Sequence, residues 1–286
     1  MNNKKIYPSW FLLPLVVIYG GLFIFPTIVS FYFSLTVWSL NSFRFIGLEN
    51  FITFFSEYSL NIGIKNTFIY AILTCLLKVT IGLLFAFILT SKIRTKNMVR
   101  SIIYFPNLIS PLAVGIIFSA LMHPSKGFFN VVLSWFGISG IDWLGNTSLA
   151  LYSVIMVDVW KGLGVAVVIY IAGISAISKD YYEAASIDGA NGVQQFFKIT
   201  LPLCRPSVNS VILLSFIGGM RTFELVWAMT KGGPGFATDT LASIIYKQYA
   251  AGFYGLSTAG NVIMFLLIAV IAFPLFRYLS AKEVQI

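Results

Sequence analysis

Six stretches of this chain are apolar for long enough to cross a lipid bilayer, at about 10–38, 66–90, 101–123, 149–176, 206–229 and 259–280. Crossing about 30 Å of hydrocarbon takes roughly 20 apolar residues in a helix. Lipid offers no partner for a backbone N–H or C=O, so each group must be satisfied within its own segment, which makes these runs helices rather than strands. The chain therefore reads as all-α, a single polytopic membrane domain over residues 1–286 with about six transmembrane helices. Composition points the same way. Only 10% of the 286 residues are charged and 58% are hydrophobic, with a mean hydropathy of +0.88, whereas a soluble domain carries about a quarter charged residues. Pro14, Pro26, Pro111 and Pro274 fall inside the runs and predict kinks.

The first run follows Lys4 and Lys5 and has the flank of a secretory signal, but it is about twice the roughly 7–15 residues of a signal core. It is read as an uncleaved first helix. With the N-terminus inside, the inner segments hold Lys4, Lys5, Lys92, Arg94, Lys96, Arg100, Lys179, Lys198, Arg205, Arg277 and Lys282, against Arg44, Lys65, Lys126, Lys231 and Lys247 outside. That asymmetry places both termini in the cytoplasm. The net charge of +9 is too scattered for a nucleic-acid surface. Cys75 and Cys204 stand in different segments without metal or redox spacing and read as packing residues. The outer loops around Phe43–Phe55 and Trp135–Trp143 are aromatic-rich, as expected for rings at headgroup level.

The most informative loop joins the fourth and fifth runs, about 178–202. Ser178 is placed to cap a short helix whose early turns carry Asp180 and Glu183 against the positive dipole end. Asp188-Gly189 breaks that helix. Asn191 caps a second one, whose Val193, Phe196 and Phe197 share an apolar face, and Pro202 closes it. From the residues alone, this helix pair either docks in another protein's groove or lies on the inner membrane surface.

The spacing Glu183-Ala184-Ala185, three residues, Gly189, nine residues, Ile199-x-Leu201-Pro202 resembles the EAA loop of permease subunits of binding-protein-dependent ABC importers. Phe105-Pro106-Asn107, Asp158 to Gly164 and Met229 to Pro234 resemble, in order, signatures of the sugar branch of that family, found in maltose, lactose, raffinose and glycerol-phosphate importers. The resemblance implies a type I importer permease fold and a sugar, specifically an oligosaccharide, as substrate. It implies that the loop is a coupling helix seated in an ATPase cleft, with Glu183, Ala184, Ala185, Asp188, Gly189, Phe196, Phe197, Leu201 and Pro202 as its coupling residues. It implies a second homologous permease subunit, two cytoplasmic ATPases carrying the ATP and Mg, and an extracytoplasmic solute-binding protein that touches Lys231–Gly235. It also implies a bacterial or archaeal cytoplasmic membrane. No Gly-x-x-x-x-Gly-Lys-[Ser/Thr] phosphate loop occurs in the chain, so the motor is expected on a separate subunit and no cofactor on this one.

Charges inside spans are costly and usually face a cavity or a partner. Asp158 and Lys161 are three apart in the fourth run, Arg221 and Glu224 three apart in the fifth, spacings that put each pair on one helix face. Either each pair closes on itself, or together with Trp160, Gly162, Gly219 and Thr222 they line the substrate pathway. The resemblance favours the pathway, since its cavity positions align on Asp158, Lys161, Gly162, Gly219 and Thr222. The charges also suit an acidic sugar such as a uronate. Lys78 reads as structural or snorkelling, and the lone His123 as an interfacial hydrogen-bonder. The competing classes, a secondary transporter or channel and a membrane enzyme, would leave the loop at 178–202 without a purpose.

Overall fold

A computed structural model of the chain describes residues 9–39, 42–90 and 95–281. Lys4, Lys5, Lys92, Arg94 and Lys282, which entered the orientation argument, lie outside the described residues. Helix α1 (Trp10–Phe33) passes two prolines. Pro14 sits in a first helical turn, where its missing N–H costs nothing. A π turn at Gly20–Ile24 directly precedes the turn that holds Pro26. The wider turn re-routes the backbone bonds that proline cannot make, so the helix continues. It ends at Phe33, short of the expected residue 38, because Thr36–Trp38 forms strand β1, paired antiparallel with β2 (Phe43–Phe45). β-branched and aromatic side chains favour that pleated ribbon. Helix α2 (Glu49–Ser56) is tied to it by Asn50, whose Nδ2 donates to the carbonyls of Ser34 at 2.9 Å and Thr36 at 2.8 Å.

The central post is α3 (Tyr58–Thr90), whose 33 residues extend for about 50 Å, well beyond the hydrocarbon. The expected third span, 101–123, is instead two helices, α4 (Lys96–Leu108) and α5 (Pro111–Leu121), meeting at 98°. The reason is Pro111. A residue before proline is driven off the helical region, and Ser110 and Ile109 are both extended, at ψ 135° and 138°. After helix α6 (Phe128–Trp135), α7 (Ala150–Ser175) matches the expected fourth span to within a residue at each end. Two short helices follow, α8 (Lys179–Ile187) and α9 (Gly192–Leu203). A π turn at Phe196–Thr200 precedes Pro202, α9 closes one residue after that proline at Leu203, as expected, and the chain then bends by 68° into α10 (Arg205–Met220).

The expected fifth span is also interrupted. α10 stops at Met220, and α11 (Glu224–Met229) starts after three non-helical residues. Arg221 and Glu224 therefore flank a break and do not share a helix face. Helices α12 (Leu241–Ala250) and α13 (Tyr254–Ser280) complete the described residues. Among those residues four helices are long and apolar enough to cross a membrane, or six if each bent pair counts as one span.

α3 packs chiefly against α7 and α10. Without a water-driven hydrophobic force in lipid, helices associate by close approach of small residues. Gly219 shows this: a Cβ there would lie 2.6 Å from the Ala71 Cα on α3. Outward, Leu22, Leu84, Leu112, Ile116 and Val270 are exposed, a surface suited to acyl chains and far beyond the apolar patch of a soluble monomer.

Candidate functional site

The hairpin α8–α9 is built by local rules. Ser178 Oγ accepts the Asp180 N–H at 3.3 Å, capping α8. At the other end, the Ala190 N–H donates to Ala185 O at 2.8 Å and the Gly189 N–H to Ser186 O at 3.1 Å. This is the double bond of a Schellman stop, with Gly189 at φ +79° in the left-handed position. Asn191 and Gln194 then exchange side-chain and backbone bonds at 2.9 Å in a capping box that starts α9. Two further bonds lock the helices together, Tyr182 Oη to Thr200 Oγ1 at 3.0 Å and Gln195 Nε2 to Ser186 Oγ at 2.9 Å. Glu183, Ala184, Asp188 and Phe197 are exposed, while Ala185, Leu201 and Pro202 are half-buried. Phe196 turns the other way: its half-buried ring meets Phe87 of α3 at 4.8 Å and anchors the hairpin to the membrane core. The most prominent apolar knob is Ile187, 87% exposed at the tip. The sequence reading passed over it because it falls outside the Val193/Phe196/Phe197 stripe. Its place directly before the Asp188-Gly189 stop is the signal that marks it.

Within the membrane, Asp158 does not pair with Lys161. Its Oδ2 accepts from Lys78 Nζ at 2.7 Å, across α3 and α7, with both side chains largely buried. Lys78 is thus structural, one of its two expected roles, and does not snorkel. The spacing of three on one helix suggested the wrong partner, because the true one lies 80 residues earlier in the chain. A cavity of about 230 Å³ opens beside the pair, walled by Lys78, Asn107, Asp158, Lys161, Gly162 and Ser215 with aliphatic neighbours. Gly162 leaves space for the lysine there, since a Cβ would stand 2.8 Å from both Cε and Nζ of Lys78.

The remaining pathway candidates lie off this wall. Trp160 is half-exposed, with its ring 5.0 Å from Phe118. Gly219 is buried against α3. The Thr222 carbonyl accepts the Thr240 hydroxyl at 3.0 Å. Arg221 opens onto a different groove, of about 490 Å³ between α1, α10 and α13, with Phe23, Thr27, Asn261 and Phe265. Glu224, exposed at the start of α11, makes no ion pair with Arg221. The two charged pairs of the sequence are not one cluster.

The segment from Thr230 to Thr240 is a built loop. Lys231, Gly232 and Gly235 have φ of +53°, +91° and +59°. The Thr238 hydroxyl meets the Gly233 carbonyl and the Thr230 hydroxyl, each at 2.7 Å. Asp239 is fully buried and pairs with Lys247 at 2.7 Å, also accepting from Ser243 Oγ at 2.8 Å. From α3, Asn66 Nδ2 reaches the carbonyls of Phe236, Ala237 and Asp239 at 3.2, 3.2 and 2.9 Å. Removing that amide strands these carbonyls at a cost of about 1–3 kcal/mol. Asn66→Ala is expected to speed hydrogen exchange selectively in residues 232–240, leaving the amides of α7 unchanged.

Residues 78–284 match the family described as binding-protein-dependent transport system inner membrane component. The chain is 30% identical over 259 residues to the trehalose/maltose transport system permease protein MalF of Thermococcus litoralis, covering 90% of this chain and 88% of that one. It is 30% identical over 280 residues to the arabinooligosaccharides transport system permease protein AraP of Halalkalibacterium halodurans, covering 95% and 87%. Its fold superposes with a TM-score of 0.84, at 23% identity and covering 95% and 94%, on a chain from the crystal structure of a bacterial ABC transporter involved in the import of the acidic polysaccharide alginate. The helical membrane architecture agrees with these matches, and the chain belongs to the family of inner membrane components of binding-protein-dependent transport systems.

Proposed function

We propose that this chain is one of two permease subunits of an ATP-driven sugar importer, conducting an oligosaccharide across the cytoplasmic membrane with both termini in the cytoplasm. A second, homologous permease completes the pathway. Two cytoplasmic ATPases hold the ATP and Mg and receive the α8–α9 hairpin, and an extracytoplasmic binding protein delivers the sugar to the outer face, where the Thr230–Thr240 loop is the contact segment. The sugar assignment rests on relatives whose names specify trehalose/maltose and arabinooligosaccharide transport. The coupling assignment rests on one observation. The hairpin projects Ile187 and Phe197 bare while its own bonds and the Phe196–Phe87 contact hold it rigidly to the core. A rigid, apolar-tipped lever is what transmits a partner's movement, and a helix pair lying passively on the membrane would not need the internal locks.

Uptake of labelled di- to pentasaccharides into proteoliposomes holding the complete assembly tests this. Uptake is expected to require ATP inside and to persist when a protonophore collapses the ion gradient. Protonophore-sensitive uptake without ATP would return the chain to the secondary transporters, and ATP-driven uptake of no saccharide would remove the sugar.

A further inference from the structure

We infer that the cavity between α3, α4, α7 and α10 selects a sugar bearing an oxyanion, with Lys161 as the side chain that meets it; the inference rests on the sugar-permease reading above and narrows its substrate class. The cavity wall carries two ammonium groups, Lys78 and Lys161, and one carboxylate, Asp158. Lys78 is already matched to Asp158 at 2.7 Å, and no ion pair joins Lys161 to any described residue. The cavity therefore carries one uncompensated positive charge at membrane depth. Such a charge is expensive, and a site that keeps one has a use for it when a counter-charge arrives.

Gly162 leaves room on the wall for the end of Lys78, whose Cε and Nζ lie 2.8 Å from where a Cβ at this position would stand. The rest of the wall agrees with an anion. No aromatic ring lines the cavity, so the flat face that a neutral pyranose would stack on is missing, whereas Asn107 and Ser215 supply neutral hydrogen-bonding groups for hydroxyls. Its volume of about 230 Å³ lies below the roughly 300–1,000 Å³ of a pocket for a drug-sized ligand, a size for one charged sugar unit at a time and not for a whole oligosaccharide. A carboxylate or a phosphate would satisfy the same ammonium by a charge-assisted hydrogen bond.

The test uses the assembled complex with its second permease and ATPase subunits, purified in detergent, and reads thermal stabilisation by three probes at matched ionic strength: D-galacturonate, glucose 6-phosphate and D-galactose. One or both anionic probes are expected to stabilise the wild type, identifying carboxylate or phosphate. The concentration for half-maximal effect should rise about tenfold or more in Lys161→Met and recover in Lys161→Arg. Should the methionine variant not assemble, Lys161→Gln replaces it with the same expectation. Stabilisation by galactose alone, by all three equally or by none overturns the inference, as does an anion effect that survives loss of the lysine. The galactose outcome would leave the sugar-importer reading standing, because ATP-driven saccharide uptake judges that reading separately.

Discussion

Gly189→Val in the cytoplasmic hairpin is expected to lower ATP-driven uptake by the assembled importer about five- to thirtyfold, with loss of ATPase subunit on purification, while Gly192→Ala three residues away leaves both nearly unchanged. The two glycines make a controlled comparison. A Cβ at either position would meet nothing within 4 Å, so steric contact predicts no effect at both. They differ in backbone conformation. Gly189 sits at φ +79°, where an L-residue costs about 1–2 kcal/mol and a β-branched one is a conformational outlier. That cost falls on the Schellman stop, whose two bonds set the direction in which α9 leaves α8. A hairpin released from that turn loses the fixed placement of Ile187 and Phe197 that docking needs. The membrane core should be untouched, so protein yield and the thermal midpoint of the permease alone serve as internal controls. Equal uptake in the two variants would show that the ATPase does not read the geometry of the turn.

The second large effect is expected at the intramembrane ion pair. Lys78→Met should destabilise the permease by about 3 kcal/mol, the low end of the range for breaking a buried pair, since both side chains keep some exposure. Most of that cost is the stranded Asp158 carboxylate rather than lost attraction. The double variant Lys78→Met/Asp158→Asn should therefore regain most of the loss, measured as the apparent melting temperature in detergent. A double variant as unstable as Lys78→Met would indicate that the lysine stem, packed along α7, contributes more than its charge. A Lys161→Met comparison is informative here as well. Lys161 has no carboxylate partner among the described residues, so its removal relieves an unpaired charge and should hold or raise the melting temperature of the ligand-free protein.

Much of this architecture was legible because it follows from local chemistry. The apolar runs are a solubility property of single segments, and α7 lies within one residue of its expected bounds. The caps at Ser178 and Asn191 and the stop at Gly189 depend on residues within five positions of each other, and all three form. Expectation and structure part where backbone geometry depends on more than apolarity. Hydropathy is blind to the break at Ser110, although Pro111 announces it, and it runs straight across the interruption at Arg221, where the side chains on both sides are as apolar as elsewhere. At Pro26 a preceding π turn lets the helix run on past the proline.

Hydropathy, capping and turn chemistry act over a few residues, and so a helical membrane protein with a capped helical hairpin could be read from the chain directly. Which charges meet is settled only by how the helices pack. Lys78 and Asp158 are 80 positions apart and become partners through the packing of α3 on α7, whereas Arg221 and Glu224, neighbours in the chain, are separated by a helix break. Side-chain pairing depends on distance in space, and in a bundle of helices that distance is set by which small residues let two backbones approach.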